Sequence, residues 1–124
     1  MKALSIRQPW AWCILHGGKP VENRSWWTSY RGPILIHAAK GMTRDEYEDA
    51  SDFAAGLGVT LPPAEELPRG GIVGRARLVD CVREHDSPWF FGKWGFLLAE
   101  PEPLPFTPFK GALGIFDVPE GALS

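Results

Sequence analysis

Glycine and proline punctuate this chain so densely that its apolar residues fall into short runs, and this spacing constrains the fold more than any other feature. Twelve prolines and fourteen glycines in 124 residues imply many turns and a modest helix share. Lys2–Ile6 reads as a short strand. Pro9 suits the first turn of a helix, where its missing N–H costs nothing. Trp10–His16 continues that helix and Gly17-Gly18 stops it. Val21–Arg24 is a second short strand, and Gly32-Pro33 turns the chain into Ile34–Ala38, apolar enough for a central strand. Thr43 and Glu46 have the spacing of a capping box. The helix they open runs to about Gly56–Gly58, with Tyr47, Ala50, Phe53, Ala54 and Leu57 as its apolar stripe. Leu61–Gly71 is a proline-rich loop, and Ile72–Val82 a long strand with Arg75 and Arg77 on one face. Trp94–Glu100 and Gly114–Val118 complete the strands, with Pro101–Pro108 expected as the loop between them. Adjacent strands and few helices favour an α+β barrel over a doubly wound parallel sheet.

One domain of residues 1–124 with a single core is expected at this length. No run of about eighteen apolar residues exists, so no membrane span is expected, and the N-terminus reads as a first strand and helix, not a signal peptide. Cys13 and Cys81 are the only cysteines, which points to a reduced cytoplasm without a disulfide framework. The three histidines, His16, His37 and His85, show no ligand spacing, so neither a metal nor another cofactor is expected. His37, on an apolar strand, reads as a core histidine.

The net charge of −2 conceals an asymmetry: residues 1–40 carry six bases and one acid, the remainder seven bases and fourteen acids. A local basic face steers an anionic ligand even on an acidic protein. Most of the chemistry lies in Leu4–Arg31, which holds four of the six tryptophans together with Ser5, Arg7, Gln8, Lys19, Glu22, Arg24 and Arg31. On a strand, Glu22 and Arg24 share a face, and the glycine pair lets the backbone bring Lys19 near them. Cations, a carboxylate and flat aromatics suit a polyanion or a nucleobase better than a sugar or a metal.

Each candidate has a functional reading and a structural one. Lys19 is a cation for phosphate, a nucleophile or base, or a solvated turn lysine. Glu22 and Arg24 either read a base edge or form a structural ion pair. Arg7 and Gln8 lie at a strand-to-helix junction suited to an anion, though Gln8 equally suits capping. Ser5 faces the cleft or bonds to backbone. Trp10 and Trp12 lie roughly 200° apart on a helix, while Trp26 and Trp27 straddle a strand end. Trp10 and Trp26 are the candidate stacking platforms, against the alternative of core packing.

The stretches LSIRQPWAWCILHGGKPVENRSW and YRGPILIHAA, followed by GIVGRARLVDCV and KWGFLLAEPEPLPF, resemble ASCH domains, relatives of the PUA RNA-binding fold. The start Gln-Pro-Trp-Ala and the pattern Gly-x-Lys-x-x-Glu-x-Arg are the most specific parts. The resemblance, closest to the small single-domain bacterial or phage type, implies a PUA-like mixed β-barrel with flanking helices. It also implies a cleft between the first helix and the barrel suited to RNA or a nucleoside, flanked from the far side by Lys93 and Trp94. Some bacterial members resemble ribonucleases, and one branch hydrolyses N(4)-acetylcytidine. Lys19 matches that branch's working lysine, but Glu22 stands where its threonine does and its later glutamate has no match here, so the activity is not carried over.

The expected function is therefore RNA or nucleotide binding in that cleft. An alternative is a ribonuclease or acetylcytidine amidohydrolase-like enzyme using Lys19 and Glu22. Another is a protein-interaction module built on the aromatic loops Pro88–Phe91 and Pro105–Phe109.

Overall fold

A computed structural model describes residues 1–123. Six strands form one sheet: β1 (Lys2–Ile6), β2 (Val21–Arg24), β3 (Gly32–Ala38), β4 (Gly71–Val82), β5 (Trp94–Pro108) and β6 (Ile115–Asp117). Two helices accompany them, α1 (Trp10–His16) and α2 (Arg44–Gly56). Across the sheet the order is β2-β5-β4-β3-β1-β6. Strands β1 and β3 run parallel, and every other neighbouring pair is antiparallel. A parallel pair needs a crossover connection, and α1 with β2 supplies it. Bulges in β4 and β5 bend the sheet into a half-barrel, since each extra residue increases the local twist.

Strand periodicity divides the sheet into two faces. Leu4, Ile6, Ile34, Ile36, Leu78 and Phe96 point into the main core, covered by Ala11 and Ile14 of α1. Ala3, Leu35 and Ile72 point to the other face, closed by Val118, Leu104 and Phe116. A third cluster joins the two helices through Cys13, Val21, Ala54, Leu61 and Trp89. Helix α2 is fixed by the expected box: Thr43 Oγ accepts from the Glu46 amide at 3.1 Å, and Glu46 Oε1 accepts from the Thr43 amide at 2.9 Å. Arg75 and Arg77 are exposed on β4 and pair with Glu102 and Glu100.

One element differs from expectation. Pro101–Pro108 is the outer half of β5, not a loop. Pro101, Pro103 and Pro105 recur every second residue, so their missing N–H groups fall on one edge of the strand. Strand β2 pairs only with Trp94–Leu97, which leaves the rest of that edge without a neighbouring strand among the described residues. The pairing of β4 with β5 therefore continues to Gly71 and Pro108.

Among the described residues, no helix is long and apolar enough to cross a membrane. No group of three or more His, Cys, Asp or Glu side chains gathers at one point among them either.

Candidate functional site

Helix α1 ends where Gly17 and Lys19 both donate their amides to the Cys13 carbonyl, at 2.8 and 3.1 Å. Gly18, with φ of 75°, takes the left-handed conformation that this reversal needs. The turn drops Lys19 back beneath the helix, where only 4% of the residue stays exposed. Its Nζ donates to the Val21 carbonyl at 2.5 Å and to Glu22 Oε1 at 3.2 Å. The ammonium also lies 5.6 Å from the centre of the Trp10 ring. Glu22 Oε2 meets Arg24 Nη2 at 3.1 Å, and the same Nη2 donates to the Ser5 carbonyl at 2.6 Å. Lysine, glutamate and arginine thus form one buried chain of charge. Arg24 Nε, also buried, has no hydrogen-bond partner among the described residues.

Over this chain opens a cleft of about 360 Å³, within the range of small-ligand sites. Trp10, Phe53, Trp89 and Phe91 make its walls, and Lys19, Glu22, Asn23 and Asp49 are its polar groups. Phe53 stands edge-on to Trp10, Trp89 and Phe91, with ring centres 5.3–6.3 Å apart, an arrangement favoured by the ring quadrupoles. Asn23 ties the far wall down: its Nδ2 donates to the Trp89 carbonyl at 2.9 Å, and its Oδ1 accepts from the Phe91 amide at 3.0 Å.

Of the residues expected at a site, Trp10, Lys19 and Glu22 line this cleft, and Arg24 supports Glu22 from behind. The others lie elsewhere. Arg7 holds Glu46 with two 2.6 Å hydrogen bonds and so braces the start of α2. Buried Gln8 accepts from the Trp12 amide and donates to the Pro68 carbonyl, which is the capping role. Trp26 stacks edge-on to Phe96, 5.0 Å away in the main core. Arg31 bonds to the carbonyls of Thr28 and Tyr30 and faces Asp80. Trp94 carries the Arg83 guanidinium at 5.2 Å, and Lys93 is exposed. Ser5 bonds to His37 on the opposite face of the sheet from the main core.

Asn23, Asp49, Phe53, Trp89 and Phe91 were not among the expected site residues. The sequence pattern places Phe53 in the apolar stripe of α2, and Trp89 and Phe91 in an aromatic loop. Their alternation in Trp89-Phe90-Phe91 was the available signal, since it sends two rings to one side.

A half-barrel with a short helix over a buried lysine–glutamate–arginine chain defines a small α+β protein of the PUA-like kind. The ASCH domain profile matches residues 4–109, and the chain belongs to this family. It is similar to Activating signal cointegrator 1 from Homo sapiens, 31% identical over 103 residues, covering 71% of this chain and 18% of that protein. The corresponding protein from Mus musculus is 37% identical over 87 residues, covering 65% and 14%. The match therefore spans less than a fifth of those relatives' length.

Proposed function

We propose that this protein binds RNA or a nucleotide by admitting one unpaired base into the cleft between Trp10 and Phe91. Membership of a family associated with RNA binding supports the ligand class, and the cleft's chemistry supports the part of the ligand that enters. The observation that carries the reading is a carboxylate and an ammonium at the back of an aromatic slot. An ammonium has three donors; two of Lys19's are taken, leaving one for a ring carbonyl. Each Glu22 oxygen holds one cation, so lone pairs remain for an exocyclic amino group.

Phosphate fits this slot poorly. Lys19 is neutralised by Glu22, and Asp49 adds a second carboxylate at the rim. The base enters and the phosphates stay outside. Stacking needs an exposed ring face, which selects single strands or flipped bases over duplex.

The test is affinity for short single-stranded RNA in the wild type and in Phe91→Ala. Phe91 is 54% exposed, so the substitution leaves the core intact. Loss of one stacking face is expected to weaken binding by about 1–3 kcal/mol, roughly 5- to 150-fold. Equal affinities would reject the slot. Release of acetate from acetylcytidine, or RNA cleavage, in the same samples would move the protein to the hydrolase reading.

A further inference from the structure

Eight of the thirteen lysines and arginines sit in ion pairs. Among the described residues, Lys40, Arg69, Arg83, Lys93 and Lys110 have no such partner. Three of these five, Lys40, Arg69 and Lys110, line one open cavity of about 830 Å³. Among the described residues no carboxylate lines it, and it shares no lining residue with the aromatic cleft. An acidic protein that pairs most of its cations has left three free around one space.

The floor of this cavity is built by strand register. Ser5 of β1 and His37 of β3 are directly opposed, and Ser5 Oγ lies 2.9 Å from His37 Nδ1. His37 Nε2 lies 2.6 Å from the Phe109 carbonyl, which only accepts, so Nε2 carries the proton and Ser5 donates to Nδ1 in the neutral ring. His37 thereby anchors the segment after β5. Gly111 lies directly over the pair: a Cβ there would come within 2.7 Å of His37 Cε1 and 3.1 Å of Ser5 Oγ. That close approach brings Lys110 to the same rim as Lys40 and Arg69. Arg69 is tied in by donating to the Lys40 carbonyl at 2.7 Å.

We propose that this cavity is a phosphate-binding site, separate from the aromatic cleft, in which Lys40, Arg69 and Lys110 meet the oxyanion over the Ser5–His37 floor. Three converging cations without a carboxylate favour a multiply charged, compact anion. A phosphate monoester and an RNA backbone phosphate share that chemistry.

The experiment is an amide NMR titration at low salt with three probes: inorganic phosphate, cytidine 5′-monophosphate and a short single-stranded RNA. Each is run on the wild type, on Lys40→Gln/Lys110→Gln and on Phe91→Ala. Both lysines are exposed, so the double variant is expected to fold. Shifts are expected at residues 5, 37–40, 69–70 and 109–111, with affinity at least tenfold weaker in the double variant and the response to inorganic phosphate retained in Phe91→Ala. A response to all three probes identifies a phosphate monoester site; a response to RNA alone identifies a backbone contact. For RNA, the dependence of log affinity on log salt should flatten by about 1.4 when two contacts are lost. No shift in this region with any probe, or equal affinity in the double variant, would overturn the proposal. Failure of the aromatic cleft would appear separately, as an unchanged RNA affinity in Phe91→Ala.

Discussion

Replacing Glu22 by glutamine should be among the most damaging isosteric changes available to this chain. The carboxylate is about 90% buried and lies 3.2 Å from Lys19 Nζ and 3.1 Å from Arg24 Nη2. At an effective dielectric of about 20, each attraction is worth about 5 kcal/mol before desolvation is deducted. Glutamine keeps the shape and removes both attractions, leaving the buried Lys19 and the half-buried Arg24 to repel each other. Removing one partner of a buried pair costs about 3–5 kcal/mol, because the remaining charge cannot be rehydrated. For a domain of this size, that is a fall in Tm of roughly 12–20 °C. Urea unfolding followed by tryptophan fluorescence measures it, with an unchanged m-value showing that the folded state stays compact. Lys19→Gln and the double variant complete a cycle, in which the pair should couple by about 2 kcal/mol or more. A loss below about 1 kcal/mol in Glu22→Gln would show that water screens the pair, and the argument for a buried charge chain would fail.

Three further outcomes are expected. Cys13 is fully buried, and desolvation pushes its thiol up to about 11 despite the nearby Lys19 ammonium; mass spectrometry after iodoacetamide treatment at pH 8 should find it unmodified in native protein and alkylated in denaturant. The Arg7 guanidinium, with the Thr43 amide, holds Glu46 at about 2, below its ordinary 4.5. A depressed carboxylate stabilises the fold above the unfolded value and loses that contribution as pH falls through the folded one, so the amide signals at the start of α2 should titrate near pH 2, and at a higher pH in Arg7→Met. Asn23→Ala removes two hydrogen bonds to the Trp89–Phe91 loop, at about 1 kcal/mol each; faster amide exchange at Phe91 and weaker RNA binding should follow, with no change at Lys40 or Lys110.

Local patterns made much of this fold legible. The glycine pair after His16, the Thr43–Glu46 box and the alternation in β4 each act within a few residues, so spacing alone reveals them. The inner half of β5 is legible as Trp94–Glu100, but its outer half, Pro101–Pro108, is not, because proline usually breaks a strand and only the free edge beyond β2 makes that half possible. The Lys19–Glu22–Arg24 chain was readable as a shared strand face plus a turn. The far wall of the cleft was not, because Asn23 reaches Trp89 across 66 positions and nothing local records that contact. Arg7 shows the converse: its place beside the motif suggested a ligand, yet its partner is the cap of the second helix. The Ser5–His37 pair likewise depends on the register of two parallel strands 32 residues apart.

The central claim is that one unpaired base enters the aromatic slot, and the indole N–H signals of Trp10 and Trp89 report on it most directly. With a short single-stranded RNA, both indoles and the amides of Lys19, Glu22, Asn23 and Phe91 should shift together, and cross-relaxation should link base protons to the Trp10 and Phe91 rings. The same sequence locked in a duplex should leave them in place. Indoles unmoved by single-stranded RNA that binds elsewhere on the protein, or moved equally by duplex, would contradict the account.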